Sequence, residues 1–307
     1  MKNRNNKISK AAAVTMLFLL FLHFPSVTDA QDRTIEQWGD AAISAGLEPS
    51  SLNQLLSRAE ARRLDGPSLG LILSPAIALA EQNLPGELIL EKAMEGLAKG
   101  VPIPQIEPVL ARLQQGAESV APFVTEWAGR EEASLMIERS GEQTDREQFR
   151  KDLMRVSAIA SSELQGPDLV RDILNSLSES GVIPTSRPSS VLAGIRIAAD
   201  LPGRVDRPDV ARDMIVRSVQ SGFTATDIQK MPGAMELAQR RSRMPAASVL
   251  EGVSEQIRSD IPATQILQNL FNGQIGGGPP GGTPRGLENR PGRTDPPTGT
   301  GNTGNLL

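Results

Sequence analysis

The chain has 307 residues, 39% of them hydrophobic and 22% charged, with a net charge of -4, a single histidine, and neither cysteine nor tyrosine. Disulfides, thiolate or imidazole metal sites, and Cys or His nucleophile systems are therefore excluded, because the one histidine, His23, falls in an N-terminal leader. The mildly acidic balance argues against a general nucleic-acid binder, whose affinity comes mainly from neutralising phosphates.

The leader comes first. Lys2, Arg4, Lys7 and Lys10 form a basic start, and Ala11 to Phe24 is an apolar run of 14 residues ended by Pro25. A membrane-spanning helix needs about 20 apolar residues, so the run reads as a cleavable signal peptide over 1–30. Thr28-Asp29-Ala30 offers small residues for cleavage before Gln31. No cysteine follows to carry a lipid. Cleavage removes four basic residues and Asp29, leaving 28 basic and 35 acidic side chains and a net charge of -7. The expected product is exported, periplasmic or secreted, with no transmembrane anchor.

From 31 to 272 the pattern predicts an all-helical domain. Apolar residues recur at steps of three and four, as in Leu52, Leu55, Leu56 and Ala59, or Ile106, Val109, Leu110 and Leu113. Alternating strand patterns are absent. Gly and Pro divide the region into about a dozen helices of roughly 10–20 residues, with a subdivision expected near 118–145.

A frame recurs along these helices. An apolar residue is followed at the third position by a turn residue, then directly by an apolar residue, and five further on by another. The copies are Ile43/Gly46/Leu47/Leu52, Leu97/Gly100/Val101/Ile106, Val219/Gly222/Phe223/Ile228 and Ile257/Asp260/Ile261/Ile266. A looser copy surrounds Gly181-Val182, where Arg187 takes the last apolar position and Pro188 delays the second helix. Glycine at the turn suits the left-handed residue that ends many helices. The two apolar residues after it stand where a hydrophobic staple holds the next helix. Thr224 and Asp227 suit a capping box, and Pro49, Pro102 and Pro262 each suit a helix start. Each copy encodes a helical-hairpin corner. The last turn residues, 222 and 260, are 38 apart, close to a hairpin-repeat period. The fold class expected is all-α, an array of helical hairpins of irregular, solenoid-like form, with a multi-helix globule as the alternative.

Residues 273–307 are dominated by Gly, Pro, Thr and Asn and read as a disordered tail. Within it, Gly299 to Gly304 matches G-x-G-x-x-G but lacks the flanking strand and helix a dinucleotide site needs.

Few motifs carry chemistry. Gly66-Pro67-Ser68-Leu69-Gly70 matches G-x-S-x-G, yet a helical segment precedes it and no histidine is available, so it reads as a helix start. Carboxylates are the remaining acid/base candidates, in the cluster Glu131, Glu132 and Glu138. Glu138 followed closely by Ser140 resembles the lytic transglycosylases, helical envelope enzymes acting through one buried glutamate. The resemblance stops there: Arg139 intervenes and no Gly-Leu-Met-Gln-like element follows. Adjacent Arg130 and Arg139 favour solvated charges. Trp38, and Trp127 beside Phe123 and Val124, read as core. Arg240, Arg241 and Arg243 form the densest basic cluster and read as a solvated helix face. Non-recurring outer-face residues such as Gln105, Glu107 and Arg112 remain open for function.

No catalytic, cofactor or metal residue is assigned. The expected function is an exported protein-binding or scaffold protein of the bacterial cell envelope. Its expected partners are envelope proteins, not nucleic acid, and self-association is left open. The alternatives are a carboxylate-dependent hydrolase acting on peptidoglycan and a self-assembling structural subunit.

Overall fold

A computed structural model describes residues 33–275, so the signal-peptide reading and the tail beyond Ile275 lie outside the described residues. The described chain is all-α. It forms α1 (Ile35–Ser44), α2 (Pro49–Ala61), α3 (Gly66–Glu81), α4 (Glu87–Ala98), α5 (Ile103–Ala128), α6 (Glu131–Ser140) and α7 (Arg146–Leu164). There follow α8 (Asp168–Glu179), a 3-10 turn (Ile183–Thr185), α9 (Pro188–Ile197), α10 (Pro208–Gln220), α11 (Ala225–Ser242), α12 (Ala246–Arg258) and α13 (Ala263–Phe271). None of the described helices is long and apolar enough to cross a membrane.

The corners form as the recurring frame predicts. All five turn residues are left-handed: φ is +96° at Gly46, +74° at Gly100, +68° at Gly181, +72° at Gly222 and +54° at Asp260. In four of them the backbone makes the same pair of bonds. At Gly100, Val101 N–H donates to Gly96 O at 3.0 Å and Gly100 N–H to Leu97 O at 3.1 Å. Equivalent bonds run from Leu47 to Ala42, Phe223 to Ser218 and Ile261 to Gln256. The last apolar residue of each frame, Leu52, Ile106, Ile228 or Ile266, is buried at the fourth helical position. Thr224 and Asp227 close the expected capping box.

Several details differ from the sequence pattern. Pro102 and Pro262 stand just before their helices, whereas Pro49 occupies the first helical position. Prolines do not always divide the chain. Pro75 lies inside α3 and Pro232 inside α11. The carbonyl that the missing Pro75 N–H frees belongs to Leu71, a residue that is itself exposed. Helix α5 has 26 residues, longer than the expected pieces. Further corners use left-handed residues that are not glycine, namely Arg63, Asn83, Gln165 and Arg243.

Two compact units divide within α5, between Glu118 and Ser119. In the first, α1 packs on α3 and α2 on α4. Trp38 of α1 is buried against Gly70 of α3, where an added Cβ would stand 2.6 Å from the ring. In the second, α7, α9, α11 and α13 pack in one row and α8, α10 and α12 in another, while consecutive helices pair across the rows. A helix that packs on its next-but-one neighbour is the mark of stacked hairpins with a continuous core. Ser190 ties one row together by donating to Phe223 O at 2.8 Å. Trp127 fills the start of this core, its Nε1–H donating to Leu174 O at 2.9 Å and its ring 6.4 Å from Phe149.

Candidate functional site

The motifs singled out by sequence are accounted for by folding. Asp65 caps α3 by accepting Ser68 N–H at 2.9 Å, so Gly66–Gly70 is a helix start. Glu131 and Glu132 lie exposed in the first turn of α6, and Glu138 is exposed on the same helix. Ser140 does not face a glutamate; its hydroxyl donates to Ile137 O at 3.0 Å and accepts Glu142 N–H at 3.1 Å. Both tryptophans are core residues. Gln105, Glu107 and Arg112 are exposed, as placed by periodicity. The Gly299–Gly304 match lies outside the described residues.

Carboxylates displaced from their ordinary range are displaced downward. The Ser50 hydroxyl, with the Ser51 and Ser50 N–H groups, holds Glu48 at about 2. Lys92 and then Lys99 hold Glu95 at about 2. Ser68 lowers Asp65, Arg150 lowers Glu147 and Arg207 lowers Asp209. A general acid needs the opposite shift, produced by burial or a second carboxylate. Among the described residues no cluster of three or more His, Cys, Asp or Glu side chains could hold a metal ion.

The regular stack breaks once at length. Most corners take a few residues, but α9 and α10 are joined by 198–207. Leu201 of this connection is buried, and Arg204 Nη1 donates to Leu201 O at 3.1 Å. Gly203, at φ +79°, lies so close to the start of α12 that an added Cβ would stand 2.7 Å from the Ala246–Ala247 backbone. The loop is thus clamped to α12, and Arg207 fastens its end to Asp209 and Glu251. Val205 at its tip is 83% exposed.

Beside this loop lies an open recess of about 590 Å³, lined by Pro202, Glu236, Gln239, Arg240, Arg243 and Met244. Positions 236, 239 and 240 are three and four apart and so share one side of α11, and Arg243 follows at its left-handed end. Among the described residues, the side chains of Glu236, Arg240 and Arg243 join no ion pair or hydrogen bond. Elsewhere in the second unit, Arg207, Arg212 and Arg258 are each paired with a carboxylate. The arginine cluster read from sequence is therefore split. Arg240 and Arg243 reach the recess, while Arg241 packs its Cβ near Gly273 after α13. Pro202 and the loop were not legible as part of a site; the one signal was a connection longer than the repeat requires. Such a recess can bind a charged group by guanidinium hydrogen bonds while Pro202 and Met244 offer apolar contact.

No protein-family model, no curated protein and no solved structure matches the chain.

Proposed function

We propose that the protein is an exported scaffold or binding protein of the bacterial cell envelope that works through protein contacts and not through catalysis. The supporting observation is the two-row stack of hairpins in the second unit. Such stacks bury one side of each helix and leave broad outer surfaces free for partners. The signal-like leader supports export. The hydrolase alternative has no supporting feature among the described residues, since Glu138 is exposed and the displaced carboxylates are lowered. The test is crosslinking capture from the native envelope with the chain from Gln31 to Leu307. Recovery of the same few partners in repeated captures is the expected result; absence of any specific partner sinks the reading.

Self-assembly is favoured as a second reading by exposed apolar side chains on α1, Ile35 and Ile43, with Leu71 on α3. Light scattering at rising concentration decides it, a strict monomer ruling it out.

A further inference from the structure

We propose that the recess beside the 198–207 loop is where this protein receives a partner, by docking an acidic segment of a partner protein onto Arg240 and Arg243. The inference rests on the binding-protein reading and names the place and the chemistry of the contact. Three observations carry it. The recess has the volume of a ligand site, about 590 Å³, and is open to solvent, which suits a side chain presented on a larger body. Among the described residues its two guanidinium groups have no carboxylate partner and both line the recess, whereas the neighbouring Arg241 lies outside it. The recess sits where the repeat is interrupted, and the interrupting loop is held in place by the Gly203 contact and by Arg207.

The mixed lining selects the ligand class. Glu236 stands four residues before Arg240 on the same side of α11. A densely charged polyanion would meet Glu236 as well as the arginines, and would approach a chain of net negative charge. A peptide carries isolated carboxylates and also N–H donors. Its carboxylate would bond Arg240 or Arg243 in the planar bidentate manner that guanidinium favours. Its amide groups suit Glu236 and Gln239, and its apolar side chains suit Pro202 and Met244.

The test is calorimetry of the 31–307 chain with acetyl-Asp-Leu-Glu-Leu-amide, its uncharged isostere acetyl-Asn-Leu-Gln-Leu-amide, and inorganic phosphate. The acidic peptide is expected to saturate one site, with the isostere weaker by on the order of tenfold, as expected for charged hydrogen bonds. Arg240→Gln and Arg243→Gln should each weaken the acidic peptide by about the same factor. Arg241→Gln removes the same charge outside the recess and should change it by less than about twofold. All three positions are exposed, and unchanged circular dichroism would show that the variants fold. Three results overturn the proposal: no saturation, equal binding of the isostere, or an equal loss in Arg241→Gln. Phosphate displacing the peptide at equal concentration also overturns it, in favour of a simple anion site. Envelope capture separates the two levels. Unchanged partners with the Arg240→Gln/Arg243→Gln double variant overturn the recess and leave the binding-protein reading standing. Absence of specific capture by the wild-type chain overturns that reading, and the partner with it.

Discussion

Single residues here do their work through backbone shape and close approach more than through charge. Gly70 shows the second kind. A methyl group at that position would stand 2.6 Å from Cζ2 of Trp38, which is itself 2% exposed and has nowhere to retreat. Gly70→Ala should therefore destabilise the first unit by about 1–3 kcal/mol, the usual cost of overpacking. It should also shift tryptophan emission, because Trp38 is one of only two tryptophans in the chain. An unchanged melting temperature and spectrum would mean that Trp38 is not seated on Gly70. Gly100 shows the first kind. At φ +74°, any β-branched side chain is strained, so Gly100→Val should cost roughly 1 kcal/mol or more in a thermal melt. Wild-type stability in that variant would remove the left-handed corner.

At the scale of elements, the hairpin corner is the unit of construction. Gly96 and Ile106 meet across the α4–α5 corner, where an added Cβ on Gly96 would stand 2.8 Å from Ile106 Cδ1. Ile106 is 4% exposed. Ile106→Ala removes the group that fills this approach and should cost about 2–5 kcal/mol in denaturant unfolding. A loss below about 1 kcal/mol would show that the corner collapses to fill the gap. Thr224 opens α11 with a reciprocal cap, and Thr224→Ala should cost about 1 kcal/mol. Equal stability of the two proteins would show that water satisfies the freed Asp227 N–H as well.

Legibility follows from what is local. The corners at 46, 100, 181, 222 and 260 could be read because a turn residue and its flanking apolar residues lie within ten positions. The corners at Arg63, Asn83, Gln165 and Arg243 escaped, because these exposed residues carry no glycine signal and take the left-handed conformation through the backbone bonds that close their helix ends. Pro75 and Pro232 are different: there packing keeps a helix intact through a residue that would break it alone. The candidate site was half legible. Arg240 and Arg243 stood out as charge, but the recess needs Pro202, some forty residues away, and only the folded stack brings them together.

For the whole molecule, the absence of several residue types makes pH dependence unusually simple. Apart from His23, outside the described residues, there is no histidine, cysteine or tyrosine, so no described side chain has an ordinary titration between about pH 6 and pH 9. The acid side is governed by carboxylates that fold into hydrogen bonds. Glu48, capping α2, and Glu95, held by Lys92 and Lys99, titrate near 2 in the folded chain, against 4.5 when free of those contacts. Asp65, Glu147 and Asp209, each at a helix start, are lowered in the same sense. Lowered folded values mean that the unfolded chain takes up protons first on acidification. Their stabilisation is thus fully present above about pH 4.5 and drains away as pH falls toward about 2. These groups are exposed, so added salt should blunt the effect. Thermal melts followed by circular dichroism should give a flat midpoint from about pH 9 to pH 6 and a decline below about pH 4.5. In Glu48→Gln the amide still offers an oxygen to Ser50 and Ser51 but has no charge to lose, so its decline should be shallower than that of the wild type. A step between pH 6 and pH 8, or parallel acid declines in the two proteins, would place the governing groups elsewhere.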